Sequence, residues 1–366
     1  MPPLSAFPLI IMKRINANDR QRKGIRMSPI KAQIPFEIQT VDDTGGRIDN
    51  SHLYQNDKMH HTRALWLWGT NLAAFLVHLA MGTAVSIQGQ IVSQNNTRLK
   101  YTVYDIIGNW QNAGANGYVF VLKEAGYVRL DMLCALFAFL SAGFHFLIVV
   151  STINVALGLS FLNELTKYTS DLYYNGIENC ILWWRWVEYS LSAPVMNVAL
   201  FLISGVRERT ILWFAFFMQS AVCLCGLLTE LGAGVEVSTN KKKKWKGGPL
   251  RRLAPFIVGC YLYVPLWVFY VMSYDRNVME AWETRQMSPP SWVPYIIAAQ
   301  IGIFSLFTFP VLIFQFLNPD HYWITELIYA VLSLTSKTVL NATLLANVIR
   351  LGSTDKWDVW QGDLDP

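Results

Sequence analysis

The chain reads as an all-α membrane protein, a bundle of seven transmembrane helices with a short β-hairpin in the loop between helices 1 and 2. Three observations predict this. Hydrophobic residues fill 53% of the 366 positions and charged residues only 15%, where a soluble domain carries about 25% charged. The apolar residues gather into seven runs, each long enough, at about 1.5 Å rise per residue, to cross a bilayer. The basic residues cluster in a few segments between runs, a topology signal rather than a nucleic-acid signal.

Residues 1–60 are polar and irregular, and read as an N-terminal cytoplasmic tail that is largely disordered. Its apolar stretch precedes the basic cluster Lys13, Arg14, Arg20, Arg22, Lys23 and Arg26, the wrong order for a signal peptide. The seven-helix domain is set at 61–352 and the extracellular C-terminal tail at 353–366. Spans are expected over 64–91, 129–161, 177–204, 210–231, 253–273, 292–316 and 322–350. Between the first two, Tyr101, Val103 and Tyr104, then 118–122, are β-formers around turn residues such as Gly108, Asn109 and Gly114, which reads as a two-stranded hairpin. Trp66, Trp68, Trp213, Trp267, Trp292 and Trp323 lie toward helix ends, as interfacial anchors do.

Lysine and arginine set the orientation. A cytoplasmic amino terminus puts the basic tail and the loop holding Lys241, Lys242, Lys243, Lys244, Lys246, Arg251 and Arg252 on the inside. The segments with Arg207, Glu208 and Arg209, and with Asp275, Arg276, Glu280, Glu283 and Arg285, then fall outside, as does the acidic C-terminal tail. The protein is thus read as integral and multi-pass, N-terminus cytoplasmic and C-terminus extracellular. Cys134, Cys180, Cys223, Cys225 and Cys260 all lie in or beside apolar runs and read as core residues, without a disulfide framework or metal-ligand spacing.

The residue that matters most is Lys337, near the middle of the last run, in the stretch AVLSLTSKTVLN. An ammonium at the centre of a membrane helix costs roughly 2.5–3.5 kcal/mol even on the lenient insertion scale, so it marks a functional site and calls for a partner. Glu188, inside the apolar stretch 181–203, is the best candidate. The pair suits a protonated imine and its counterion; the plainer alternative is a Lys–Glu pair that ties two helices together. Ser333, four residues before Lys337, shares its helix face.

The segment WWRWVEYSLSAP, 183–194, together with SLTSK, 333–337, resembles the heliorhodopsins, over roughly 64–350. That resemblance implies a rhodopsin-like seven-helix bundle with inverted topology. It implies all-trans retinal on Lys337 as a protonated Schiff base, Glu188 as counterion, and Ser333, Ser141 and Tyr189 beside the cofactor. It implies a cytoplasmic proton network of His78, His145, Glu230, Arg185 and Trp186, and a homodimer formed through the exposed side of the hairpin. On residue chemistry alone, Arg185 can pair with a carboxylate or snorkel to the interface. The chain departs from the family at Met81, where many members have a glutamine near the histidine, so a smaller network is expected.

Beyond Glu188 the third helix runs Ser192, Ala193, Pro194, Val195, Asn197 without a carboxylate. That exit half argues against outward pumping, although Asp131, Asp275 and Asn341 could line a leak. The sixth helix offers phenylalanines (Phe304, Phe307, Phe309, Phe314, Phe316) and no tryptophan within 294–316, where pumps usually carry one against the polyene. The resemblance implies a light-sensing photoreceptor that signals to an unknown cytoplasmic partner. The alternative is a light-driven or light-gated proton transporter. An enzyme is not predicted, for no nucleophile–base arrangement, metal spacing or phosphate loop is evident. A G-protein-coupled receptor is disfavoured by orientation and by missing Asp-Arg-Tyr and Asn-Pro-x-x-Tyr motifs.

Overall fold

The computed structural model describes residues 58–95, 99–109, 119–157, 164–237, 243–286, 288–316 and 318–349. The tails, most of the Lys241–Lys242 turn and the tip of the first hairpin, Gly114 and Tyr118 included, lie outside the described residues. Within them, seven helical segments are long and apolar enough to cross a membrane.

The helices are α1 (Lys58–Asn95), α2 (Leu130–Leu157), α3 (Glu164–Asn179), α4 (Trp183–Ile203), α5 (Arg209–Ala233), α6 (Pro249–Arg285), α7 (Trp292–Leu306), α8 (Thr308–Phe316) and α9 (Tyr322–Leu344), the last continuing as a π-turn over Leu345–Ile349. α4 is the hub: 78% of its apolar window is buried, against 22–44% for the other spans. It packs on α2 and α5; α6 follows α5, and α7 and α9 close the ring back to α1. Pro194 inside α4, and Pro255 and Pro265 inside α6, are absorbed without ending those helices, as membrane helices allow. The sixth span is interrupted at Phe307, between α7 and α8. Pro310, in the first turn of α8, has no N–H to give to the carbonyl one turn back.

The first hairpin pairs β1 (Lys100–Asn109) with β2 (Val119–Arg129), antiparallel, with a bulge after Val103 opposite Gly126. Gly108 and Asn109, read from the sequence as turn residues, instead end β1. The hairpin is fastened to the α4–α5 turn. Tyr104 N donates to Arg207 O at 2.9 Å, Arg209 pairs with Asp105 at 2.7 Å, and the Arg207 guanidinium lies 4.5 Å from the ring centre of fully buried Tyr101. At the base of β2, a hydrogen bond from Arg129 to Asp131 raises the arginine's pKa. Asp131 itself sits against Gly89 of α1, where a Cβ would come within 2.4 Å of its carboxylate.

Three elements differ from the sequence reading. The sequence reading places no element over 162–176 and starts the third span at 177. Glu164–Asn179 is instead an amphipathic helix, α3, that buries Ser170, Tyr173 and Tyr174 against the bundle, and the span begins at Trp183, after Cys180 with φ 58°. The lysine-rich loop forms a second small hairpin, β3 (Val235–Val237) with β4 (Lys243–Trp245). α6 runs three turns past the expected end at 273, through charged residues without a glycine or proline, and stops at Gln286 in the left-handed region, φ 55°. The five cysteines are free, with four buried and Cys260 half-buried.

Candidate functional site

α9 presents Lys337 to α2 and α4 because its apolar surface and its serines sit on opposite sides of one helix. Ser333, Ser336, Lys337 and Asn341 are all buried, while Val331 is exposed. Lys337 Nζ donates to Ser333 Oγ at 2.9 Å, to Ser141 Oγ and to Glu188 Oε1. Glu188 Oε1 also accepts from Ser141 Oγ and, at 2.9 Å, from Ser192 Oγ. The ammonium stands 5.3 Å from the ring centre of Tyr189, whose hydroxyl donates to Tyr329 O at 3.0 Å. An ion pair taken this far from water persists only where further hydrogen bonds meet its remaining lone pairs and protons, and three serines do so here.

Beside the ammonium opens an apolar cavity of about 100 Å³. Trp186, Tyr189, Met196, Phe256, Phe304 and Phe307 are among its walls, and its polar lining includes Ser192, Gln219, Thr308, Ser333, Ser336 and Lys337. A long unsaturated chain ending in a carbonyl fits such a slot: aromatic faces for its length and one amine at its end. α5 contributes backbone to the wall. Gly226 lies under the Trp186 indole, and a Cβ there would come within 2.1 Å of the ring.

A second polar cluster lies two to four turns along α9 from Lys337. Arg185 Nη1 donates to Glu326, and Nη2 donates to Glu230 and, at 3.0 Å, to Tyr322 Oη. Glu230 also accepts from Tyr322 Oη at 2.7 Å and from Leu182 N at 3.0 Å. The guanidinium stacks over Tyr329 at 4.2 Å. Of the two readings left open for Arg185, pairing is the one observed: its side chain is 4% exposed. Arginine's planar fork suits this double recognition.

His78 and His145 stack with ring centres 5.6 Å apart, and His145 Nδ1 shares a 2.7 Å hydrogen bond with Asn71 Oδ1. Among the described residues both nitrogens of His78 and Nε2 of His145 lack a protein partner. The histidines and Glu230 thus belong to separate clusters rather than to one chain of bonds. A smaller cavity, about 20 Å³, lies between them, bordered by His145, Arg185, Glu188 and Glu326. Trp186, expected with the polar network, lines the large cavity, its ring 5.2 Å from the Arg185 guanidinium.

Sequence reasoning missed Glu326, Tyr322, Tyr329, Asn71 and Ser192. Glu326 was legible: it lies eleven residues, three turns, before Lys337 and hence on the same face. Ser192 is likewise one turn from Glu188 on α4. Asn71 and the tyrosines carry no pattern of their own.

Fold and site together define a seven-helix membrane protein built around one buried lysine and its carboxylate. The sequence profile of the heliorhodopsins matches residues 70–349. The chain belongs to the heliorhodopsin family, and membership implies a retinal chromophore and a photoreceptor of the rhodopsin class. No curated protein matches it. Similar solved structures include the light-driven proton pump LR (Mac) from Leptosphaeria maculans, with 13% identity, 77% of this chain and 95% of that one covered, and a TM-score of 0.47. Thermophilic rhodopsin from Rubrobacter xylanophilus gives 15% identity, 82% and 100% coverage, and a TM-score of 0.42.

Proposed function

We propose that this protein is a light sensor that holds all-trans retinal on Lys337 and signals rather than pumps. The observation that carries the reading is the placement of Lys337 Nζ where the large apolar cavity meets the carboxylate of Glu188. When bound, retinal supplies light absorption and a change of shape about its double bonds. The chain's own residues do the rest. Glu188 balances the positive nitrogen, and Ser141, Ser192 and Ser333 hold that pair in register. Trp186, Tyr189, Phe304 and Phe307 confine the slot and exclude water from it.

The proton side of the site is the small cavity. His145 borders it together with Glu188, and the unpartnered imidazole nitrogens of His145 and His78 are available to take a proton. Arg185, locked between Glu230 and Glu326, keeps a fixed charge on the opposite wall. On the hairpin side of Glu188, Asp131 is tied to Arg129, which supports sensing over transport.

The positive-inside rule supports a cytoplasmic amino terminus and β3–β4 hairpin, with β1–β2 outside. The body 61–352 is the retinal-binding unit. Exposed Ile106, Phe120, Leu122 and Tyr127 on β1–β2 support a homodimer formed there. A cytoplasmic partner would read the light-induced change. The test is an absorption spectrum of the retinal-reconstituted protein and of Lys337→Ala, with photocurrent recorded in voltage-clamped cells. A visible band lost in the variant and no current support sensing; a current abolished by Glu188→Gln would favour proton transport.

A further inference from the structure

The β3–β4 hairpin does something the pigment site does not require. From 235 to 252 the chain carries seven basic residues and one acid, Glu236, running into the first turn of the span Pro249–Thr284. Lys243 is committed to the protein: it donates to Glu178 O at 3.1 Å and lies 3.7 Å from the Glu178 carboxylate. Lys244, Lys246 and Arg251 are exposed and make no ion pair among the described residues, Glu236 facing Lys244 across the hairpin. Leu250, in the first turn of α6, is 79% exposed beside them. Cations ringing an apolar foot at the mouth of a membrane span match a leaflet that bears negative headgroups.

The patch is also rigidly held. Gly247 N donates to Ala233 O at 2.7 Å and Lys246 N to Gly234 O at 3.2 Å, which clamps the hairpin to the end of α5. Trp245 meets Phe314 edge-on at 4.5 Å, and Phe314 meets Tyr322 at 5.1 Å. Tyr322 in turn donates to Glu230. An aromatic ladder therefore runs from the basic surface to the Arg185 cluster.

We propose that β3–β4 and the first turn of α6 form a binding surface for anionic phospholipid headgroups of the leaflet they border. The proposal is independent of attachment at Lys337.

Native mass spectrometry of the full-length, retinal-loaded protein with added phosphatidylserine or phosphatidylcholine tests it. Wild type should retain phosphatidylserine preferentially, and retention should fall as salt is raised. Lys244→Gln/Lys246→Gln/Arg251→Gln should weaken it about a hundredfold, since the three juxtamembrane cations together count for about 3 kcal/mol. Arg276→Gln, on the far end of α6, should leave it unchanged, and an unaltered circular dichroism spectrum establishes that the triple variant is folded. Equal retention of the two lipids, or an unaffected triple variant, would overturn the proposal. So would tighter binding of soluble inositol phosphate or of an acidic peptide, since either would assign the patch to a soluble anion or to a protein.

Discussion

Ser192 Oγ donates to Glu188 Oε1 at 2.9 Å, the same oxygen that receives Lys337 and Ser141. One carboxylate oxygen thus carries three donors from three helices. Ser192→Ala removes a hydrogen bond to a charged group, worth about 1.5–3 kcal/mol. It also leaves more negative charge facing Lys337. The expected outcome is a lower melting temperature and a blue-shifted visible band, both read on the reconstituted protein.

Lys337→Ala should abolish the visible band and leave Glu188 buried without its cation. Breaking a buried pair by removing one member costs about 3–5 kcal/mol. Adding Glu188→Gln to Lys337→Ala should recover part of that loss without restoring colour. Chemical denaturation of the two variants checks the order.

Arg185 holds Glu230 and Glu326 at once, so Arg185→Met should be among the most damaging substitutions in the bundle, about 3–5 kcal/mol. Glu326→Gln should cost less, because Arg185 keeps Glu230 and Tyr322. Thermal unfolding in detergent would show this ranking, and an Arg185→Met protein as stable as wild type would refute it.

Gly226→Ala places a methyl in the plane already filled by the Trp186 ring. Overpacking of this kind costs about 1–3 kcal/mol, and the displaced indole would narrow the large cavity it lines. Retinal occupancy, read as the ratio of visible to protein absorbance, should drop while the apoprotein remains folded.

Phe120→Asp/Leu122→Asp puts charges on the exposed face of β2. The pair should shift a dimer to monomer in size-exclusion chromatography with light scattering, and leave the absorption band in place.

Much of the site could be read from the chain because charge in a hydrophobic run stands out. Lys337 and Glu188 announce themselves, and the structure places them in contact. Glu326 escaped because it sits near the start of a run read as apolar throughout. α3 and β3–β4 escaped for the opposite reason: their residues are polar enough to pass for loop, and their order comes from packing that no local pattern encodes. Tyr173 and Tyr174 anchor α3, while Trp245 holds β4 against Phe314. The separation of the histidines from Glu230 was likewise invisible, because it depends on which helices neighbour one another rather than on depth along each.

The break at Phe307 turns the sixth span into two rods with a joint at the depth of the large cavity. One rod is pinned, with Gln300 Nε2 bonded to Ser336 O at 3.2 Å and Ser305 Oγ to Tyr263 Oη at 3.0 Å. The other carries Phe314 against Trp245 and Tyr322. Phe307, which lines the large cavity, thus joins an arm bonded to α6 and α9 to an arm packed against the lysine-rich hairpin.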